Sequence, residues 1–483
     1  MTGRQKDRFY PLLGGHRMTP LNLKALLPAA FAAASFSTMA IAQDDALPQT
    51  LFTNVHVFDG LNEARIENAS VLVEGNLIKE VSTESIDAPG ATMIDGGGRT
   101  LMPGLIDSHV HLNLTGLFTS FGGAEYAQWD GIGAMAAANA RDYLMDGYTT
   151  VRDACGQGDA MKKLIDQDVI VGPRIYPSGA CIGPQSGHTD WRSPRARAEG
   201  GPVSQVEELN LAVVADGADE IRAAARRNLS YGATQIKLTV GGGVSSELDP
   251  LWSVGYSVDE IKAAVDVAAF FDTYVFVHAY TDETAQLALD AGVKVIDHGQ
   301  LIKEETVKRM VDEGVIWSLN TAGFSPILFE HPNFAPGTPS GLKLAVAHEQ
   351  SKDLIDLVKK YKPKIVHNVD TVLSTLDQGR AHRDFEKYQF ADWFGNHAML
   401  VSATSTGGEL AQLTGQRNPY PEKLGVIEAG AYADILIVDG NPLEDLSVLG
   451  AQPKWFDAEP REEGFETLRV IMKDGKFYKN TLD

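Results

Sequence analysis

Short apolar segments alternate with helical patterns between about residues 104 and 400, and this alternation constrains the fold more than any other feature of the chain. Amphipathic stretches such as 257–272 and 304–314, the second ending at a glycine, separate the apolar segments. Such repeated βα units build a parallel sheet, and eight of them predict an α/β protein with a (β/α)8 TIM barrel. The predicted strands are 104–111, 149–154, 174–179, 234–240, 274–280, 294–299, 315–320 and 364–370.

An open, doubly wound sheet is the alternative fold, but it requires a glycine-rich phosphate-binding turn after its first strand. The turn at that place reads HLNLTG and does not meet this requirement. The two flanks of the chain are rich in β-type residues and carry Asp-Gly and Glu-Gly hairpin signals. We therefore predict a catalytic barrel over 103–420 and a small β-sandwich domain formed from both chain ends, 43–102 with 421–483.

The N-terminal residues 1–42 have the pattern of a secretory signal peptide. An apolar, alanine-rich run follows Lys24, and the small residues Ala40-Ile41-Ala42 form a cleavage-like site. Met18 is the better initiator, because residues 1–17 precede the signal pattern. We expect a periplasmic or secreted protein that keeps no stable membrane anchor after cleavage.

The charge balance and the cysteine content restrict partners and covalent structure. A formal net charge of −22 disfavours nucleic acid and anionic membranes, because the field of the protein repels phosphate. Cys155 and Cys181 are the two cysteines of the chain, so a disulfide framework is excluded. A single bridge between them is open in an oxidising compartment.

Chemistry-bearing residues recur at the carboxyl ends of the predicted strands, where barrel enzymes have their active sites. His109 and His111 are separated by a single residue in GLIDSHVHL, so both point to the same face of the first strand. Taken singly, each such residue could be structural. Imidazoles and a carboxylate around one barrel mouth are the ligands of Zn, Mn or Fe ions. The further residues at strand ends are Lys237, His278, His298 and Asp370.

This order of residues resembles the amidohydrolase superfamily in its binuclear-metal form, over roughly residues 50–480. QIKLTVGGGVSS, VFVHAYTDETAQLALDAGVKVIDHG and GPQSGHTD are similar to the imidazolonepropionase-like and Xaa-Pro-dipeptidase-like branch. Within that branch the chain is most similar to secreted amidohydrolases that hydrolyse ochratoxin A.

The resemblance implies two divalent metal ions, with zinc expected. His109, His111 and Asp370 would bind the first ion, and His278 and His298 the second. Lys237, carboxylated by CO2 to an anionic carbamate, would bridge both. Asp370 would also transfer the proton between the attacking water and the leaving nitrogen. Related enzymes form symmetric assemblies, so a homo-oligomer is expected, an octamer among the candidates.

Residues in the loops are candidates for substrate contacts. His188 could bind the scissile carbonyl or a substrate carboxylate, or it could order its loop. Gly242 and Gly243 could offer backbone N–H groups to a carboxylate or form a tight loop. Arg192 is a candidate anion partner, and Arg380 and Arg383 are weaker ones. Asp107 is expected to orient the histidine ligands from the layer below, or to be structural.

His367 interrupts an otherwise apolar strand start, on the face opposite to that of Asp370. It is interpreted either as a buried neutral imidazole with one hydrogen bond or as a costly substitution, in which case His367→Phe would stabilise the protein.

The expected function is a secreted, metal-dependent amidohydrolase or carboxypeptidase that acts on small N-acyl or N-aminoacyl amino acids, ochratoxin A included. Hydrolysis of a cyclic amide and of Xaa-Pro or Xaa-Arg dipeptides are the enzymatic alternatives. A non-catalytic binding protein is the alternative from another class, and the presence of all six ligand positions argues against it.

Overall fold

The computed structural model describes residues 47–116, 120–156, 158–246 and 249–482. The predicted signal peptide and the start at Met18 lie outside these residues. The strands of the described chain are β1 (Gln49–Val57), β2 (Ile66–Glu74), β3 (Leu77–Ser82), β4 (Thr92–Pro103), β5 (Leu105–Val110), β6 (Tyr148–Asp153), β7 (Arg174–Pro177), β8 (Cys181–Gly183), β9 (Ala212–Val214), β10 (Ile236–Thr239), β11 (Val275–Thr281), β12 (Val295–Leu301), β13 (Ile316–Leu319), β14 (Ile365–His367), β15 (Ile435–Val438), β16 (Leu468–Lys473) and β17 (Lys476–Asn480).

The helices lie mostly between the parallel strands. They are α1 (Trp129–Met145), α2 (Gly158–Asp166), α3 (Pro194–Arg197), α4 (Gln205–Glu208), α5 (Ala218–Ser230), α6 (Val258–Phe270), α7 (Asp282–Asp290), α8 (Glu304–Glu313), α9 (Pro339–Glu349), α10 (Ser351–Tyr361), α11 (Leu376–Phe394), α12 (Asn396–Ser402) and α13 (Ser405–Gln412). Local sequence determines several of their ends. Ser257 and Glu260 form a capping box at the start of α6, and Gly314 ends α8 with a left-handed φ of 67°. Within the described part of the chain, no helix is long and apolar enough to span a membrane.

The central strands form two parallel sheets, in the orders β5-β6-β7 and β9-β8-β10-β11-β12-β13-β14. The sheets contact each other on both sides. The amide of Asp370, beyond β14, donates to the carbonyl of His109 in β5 at 3.0 Å. On the other side, the amide of Thr234, before β10, donates to the carbonyl of Pro177 in β7 at 2.7 Å. The predicted α/β class with parallel strands is confirmed, and each of the eight predicted strands overlaps an observed one.

The apolar side chains of the parallel strands pack on two faces. Phe276, Val295, Ile316 and Val366 form a cluster on one face. Ile236, Val277 and Ile296, which have the opposite parity, pack against the surrounding helices in a second cluster. Residues with the parity of the first cluster therefore point toward the interior that the strands enclose.

The remaining seven strands come from both ends of the described chain and form one sheet, in the order β17-β16-β15-β4-β1-β2-β3. β4 joins the two ends, because it runs parallel to β1 and antiparallel to β15, with Leu101 opposite Ile437. Phe52, Val71 and Val470 are among the residues of its own apolar cluster. This sheet supports the proposed β domain from 43–102 and 421–483.

Candidate active site

The six predicted metal ligands line one cavity at the carboxyl ends of the parallel strands. They come from five strands or from the residues that follow them: His109 and His111 from β5, Lys237 from β10, His278 from β11, His298 from β12 and Asp370 from beyond β14. All but Asp370 are fully buried.

Three of these side chains converge on one point. The Nε2 atoms of His109 and His111 lie 3.1 Å apart. Oδ1 of Asp370 lies 3.1 Å from the ring nitrogen of His111 and 3.5 Å from that of His109. His298 belongs to the same group, because one ligand atom each of His109, His298 and Asp370 lie within 4.8 Å of one another.

His278 and His298 extend the cluster toward the opposite wall. Their ring centroids are 4.5 Å apart, and the ring of His278 also stacks on that of His188 at 4.0 Å. Nδ1 of His298 lies 3.1 Å from the side-chain oxygen of Asn320, which follows β13. Asn320 thereby orients the imidazole of His298.

A buried carboxylate that the sequence interpretation missed, Asp297, lies below the ligands. It accepts hydrogen bonds from Arg152 of β6 at 2.9 and 3.0 Å and from Nζ of Lys237 at 3.2 Å. Its Oδ2 also lies 2.7 Å from Nδ1 of His109. Asp297 therefore balances two buried cations and fixes one ring at the ligand cluster.

The backbone explains how both Asp297 and its neighbour His298 reach the interior. In the β11–β12 ladder His278 is opposite Asp297, so strict alternation points Asp297 inward and His298 outward. His298 has a φ of 73°, a left-handed conformation that returns its side chain toward the cluster. Asp370 has a φ of 55°. Such conformations are costly for residues with a Cβ, and they concentrate at functional sites.

Burial and neighbouring charges set the protonation of the cluster. Burial lowers the pKa of His298 to about 4 and holds the pKa values of His109 and His278 well below their usual range. Burial opposes the charged carboxylate of Asp370, but the three nearby histidines outweigh it and hold its pKa well below the ordinary value. Burial also lowers the pKa of Lys237, an effect that Asp297 offsets in part.

This donor set fits a divalent metal ion. Neutral imidazole nitrogens 3.1 Å apart repel each other unless a proton or a cation lies between them. A carboxylate held as an anion beside them completes a set of nitrogen and oxygen ligands that Zn, Mn, Co or Fe accept. The lowered pKa values of His109, His298 and Asp370 favour the unprotonated forms that bind a cation.

His188 lies on the wall of the same cavity and is held by the glycine loop after β10. Its Nδ1 lies 2.8 Å from the Ser246 hydroxyl and 3.5 Å from Oδ2 of Asp249. That Asp249 oxygen also accepts the amide of Gly243 at 2.7 Å. A Cβ on Gly243 would lie 2.2 Å from Cε1 of His188, so glycine is required for this close approach.

The other predicted substrate contacts are engaged within the chain. The amide of Gly242 donates to the Ser253 carbonyl at 3.2 Å, and that of Gly243 to Asp249. Of the two interpretations, these bonds favour a tight loop over a carboxylate clamp. Arg192 forms a two-point ion pair with Asp190, at 2.7 and 3.0 Å, and lines a neighbouring cleft that also contains His188.

Arg380 and Arg383 serve the structure rather than a ligand. Arg383 is buried and pairs with Asp142 and Asp146 of the α1 end, and Arg380 also pairs with Asp142. Both are predicted from the sequence to lie in a loop, whereas they lie in α11, where they pair with the end of α1.

Asp107 and His367 have structural contacts. Oδ1 of Asp107 accepts the amides of His109 at 3.0 Å and Val369 at 3.3 Å, so it orders backbone rather than a ligand ring. Burial raises its pKa to about 7. His367 is fully buried, and its Nε2 lies 3.1 Å from the hydroxyl of Tyr148. The interpretation as a buried imidazole with one hydrogen bond is the one that this geometry matches.

Cys155 and Cys181 form a disulfide, with their Cα atoms 5.0 Å apart, and both line the cavity. The pairing that the sequence left open is present, between the residues after β6 and the start of β8.

A second cavity adjoins the first at Asp370, Val372 and Ser245, which line both. Aromatic and apolar side chains form most of its walls, among them Tyr280, Leu328, Phe334, Trp455 and Phe456. The two cavities together provide a polar cluster for chemistry and a mainly apolar space for part of a ligand.

Comparison with known proteins gives consistent relatives. Residues 100–335 match the amidohydrolase family model. Ochratoxinase of Aspergillus niger is 26% identical over 434 residues, 86% of this chain and 83% of that enzyme. Its crystal structure has a TM-score of 0.76 at 24% identity over 90% of this chain and 96% of its own, which implies a TIM barrel plus a β domain.

Two further crystal structures cover 90% of this chain and 100% of their own. One, an amidohydrolase, is 31% identical with a TM-score of 0.78. The other, a prolidase complexed with N-methylphosphonate-L-proline, is 29% identical with a TM-score of 0.77.

Proposed function

This chain belongs to the amidohydrolase family and is a hydrolase of amide bonds, and from that premise we propose a narrower activity. The protein is a secreted, metal-dependent carboxypeptidase-like enzyme that cleaves N-acyl or N-aminoacyl amino acids, including ochratoxin A to phenylalanine and ochratoxin alpha. The observation that carries the proposal is the single cavity shared by residues from five strand ends. The 26% identity to ochratoxinase supports the substrate class.

The proposed cofactors are two divalent ions, with zinc expected. His109, His111 and Asp370 would hold one ion, and His278 and His298 the other. When bound, such ions lower the pKa of a water and polarise a carbonyl. Burial lowers the pKa of Lys237 and so reduces the cost of deprotonating the amine, the form that adds to CO2. The resulting carbamate would supply an anionic bridge in place of an ammonium.

The side chains of the cavity supply proton transfer and orientation. Asp370, held as an anion and bordering both cavities, accepts the proton of the attacking water and delivers it to the leaving nitrogen. His188, fixed by Ser246 through Nδ1, offers its other ring nitrogen to the substrate carbonyl or carboxylate. Arg192 borders the neighbouring cleft beside His188 and would bind an anionic substrate only by giving up its ion pair with Asp190.

A dipeptidase that acts on Xaa-Pro or Xaa-Arg substrates is the second candidate, and the 29% identity to a prolidase favours it. Both candidates share the catalytic cluster and differ in the group that the adjoining cavity receives. A homo-oligomeric state, with an octamer as one form, is part of the proposal and is measured by light scattering after gel filtration.

The test combines metal counting with a substrate screen. We expect about two metal ions per chain by mass spectrometry, and turnover within a set of N-acyl amino acids, ochratoxin A and Xaa-Pro dipeptides. Full metal content without hydrolysis of any amide would overturn the proposal.

Two substitutions test the assigned roles. Lys237→Ala and Asp370→Asn should each abolish hydrolysis. The matched controls Lys262→Ala and Asp219→Asn alter exposed residues of helices and should keep the wild-type rate. A retained rate in Lys237→Ala or Asp370→Asn removes that residue from the mechanism.

A further inference from the structure

The apolar cavity beside Asp370 is positioned to receive a part of the substrate. It encloses about 700 Å³, including its open mouth. Asp370 is the one proposed metal ligand among its lining residues. A substrate whose scissile amide lies at Asp370 has substituents on both sides of that bond, and this cavity is the adjoining space for one of them.

Part of the cavity wall comes from outside the parallel strands. Trp455 and Phe456 belong to residues 452–464, which precede β16 of the terminal sheet and are called here the C-terminal strap. The indole of Trp455 stacks on the ring of His382 at 3.8 Å and on that of Phe456 at 4.5 Å. This stack orders the aromatic wall before any ligand binds.

Ion pairs fix the C-terminal strap to the helices. Arg461 donates to both carboxylate oxygens of Asp146, at 2.9 and 2.8 Å, and to those of Asp384, at 2.8 and 3.1 Å. Its carbonyl accepts Nη1 of Arg380 at 2.6 Å. Since Asp146 and Asp384 are fully buried, removing Arg461 would leave buried carboxylates short of a partner, which costs more than the loss of a surface ion pair.

Two ring nitrogens in this wall are buried and lack a hydrogen-bond partner among the described residues: Nε1 of Trp455 and Nε2 of His382. Nδ1 of His382 is paired with the Thr371 hydroxyl at 3.1 Å. An indole N–H can only donate, and leaving it unpaired is costly. A ligand oxygen that accepts from the indole N–H would remove this cost once a small movement of the ring exposes the nitrogen to the cavity.

We propose that the C-terminal strap forms the specificity pocket, which binds a flat aromatic substituent of the scissile amide that carries an oxygen acceptor. Tyr280, Phe334 and Phe456 contact its faces and edges, and Trp455 donates to its oxygen. The inference rests on the proposed amidohydrolase function, and it names a substrate class and residues outside the barrel that select it.

The experiment measures kcat/KM for two series of amides. One series varies the acyl group and the other varies the leaving amino acid, each from a methyl group through phenyl to hydroxyphenyl. The wild type should prefer the aromatic members of one series, and that series identifies the side of the amide that enters the pocket.

Three variants separate contact from hydrogen bonding. Trp455→Ala and Phe456→Ala should reduce the preference for aromatic over methyl substrates about tenfold or more, with little change for the methyl substrates. Trp455→Phe keeps the stack and should lose about fivefold on the hydroxyphenyl member only. Trp252→Ala, at a tryptophan that is 75% exposed, is the control and should leave both series unchanged.

An unchanged preference in Trp455→Ala and Phe456→Ala, with thermal midpoints that show folded proteins, would overturn the inference. A complete lack of amide hydrolysis by the wild type would instead refute the proposed function. The pocket is then tested by isothermal titration calorimetry with benzoate and 2-hydroxybenzoate. We expect 2-hydroxybenzoate to bind more tightly than benzoate and Trp455→Phe to remove this difference, and no binding of either acid refutes the pocket.

Discussion

The polar ligand cluster and the C-terminal strap line the two cavities that share Asp370, yet they are built in different ways. The cluster comes from the ends of strands, whose hydrogen-bonded ladders set each Cα position. The strap is an irregular segment that Arg461 and ring stacking hold in place. The proposed chemistry thus rests on strand backbone, whereas the proposed substrate selection rests on a segment that can change without altering the ligands.

The largest expected effect is on the cluster, through Asp297→Asn. The substitution leaves Arg152 without its buried counter-ion and removes the oxygen beside His109. We expect metal content or kcat/KM to fall on the order of 10- to 100-fold, and the free energy of unfolding to fall by about 3–5 kcal/mol.

Elemental analysis, kinetics and denaturant unfolding measure these losses. Asp439→Asn is the control, since that carboxylate pairs with Arg99 and Arg469 in the terminal sheet and is 38% exposed. Wild-type metal content and rate in Asp297→Asn would show that the ligands hold their places without the carboxylate.

The next effect lies where the cluster meets the glycine loop. Gly243→Ala places a Cβ against His188 and 2.9 Å from Nε2 of His278, so His188 must move. We expect kcat/KM to fall about tenfold or more for every substrate, because a displaced group loses its near-attack geometry. Gly133→Ala, on α1 with open space around it, is the control and should be neutral. Equal rates for the two variants would contradict a role for His188.

A smaller effect, confined to specificity, is expected on the strap. Arg461→Gln removes the ion pairs with Asp146 and Asp384 and loosens the wall that Trp455 forms. KM for aromatic substrates should rise about three- to tenfold, with kcat on methyl substrates unchanged, if the strap acts through binding. Arg469→Gln in β16 is the matched control. An equal rise in KM for aromatic and methyl substrates would show instead that the strap contributes to the stability of the fold and not to specificity.

The smallest effect on catalysis is expected at His367. Its hydrogen bond with Tyr148 argues against the expectation that His367→Phe alone stabilises the protein. His367→Phe alone would leave the buried Tyr148 hydroxyl without that partner, which offsets the gain in apolar packing. The double substitution Tyr148→Phe with His367→Phe removes both polar groups. It should stabilise the fold by about 1 kcal/mol at neutral pH and leave kcat unchanged.

The stability gain should depend on pH. Burial lowers the pKa of His367 to about 3 from 6.5, so below pH 6.5 the unfolded chain takes up a proton that the folded chain excludes. The wild type therefore loses stability on acidification, and the double variant avoids this loss. Denaturant unfolding should show the advantage growing by up to about 2 kcal/mol between pH 7 and pH 5. A constant difference would contradict the buried, neutral imidazole.

Much of the strand architecture could be predicted from the sequence, because apolar runs and their helical spacers are local signals. Lys237, predicted from its place near a strand end, lies opposite Phe276 in the β10–β11 ladder. β8 and β9 were missed, since strands of three residues are too short for an alternation to show.

The site was harder to predict where it departs from regular strand geometry. His298 reaches the cluster only because its φ is positive, and a positive φ at a histidine cannot be predicted from the sequence. Asp297 has the interior parity, but its place directly before the ligand candidate His298 assigns the interior to His298 under strict alternation, so Asp297 was not predicted. Trp455 and Phe456 were not predicted, because their contact with His382 and His331 joins distant parts of the chain.

The pairing of β4 with β15 has a consequence for biosynthesis. Thr100 and Leu101 leave the ribosome more than 300 residues before their partners Val438 and Ile437. Until then β4 has one open edge. Contacts between residues so far apart in the sequence slow folding. A chain truncated before residue 430 would carry an unpaired apolar strand that invites aggregation. A chaperone that covers this edge would therefore raise the yield of intact protein.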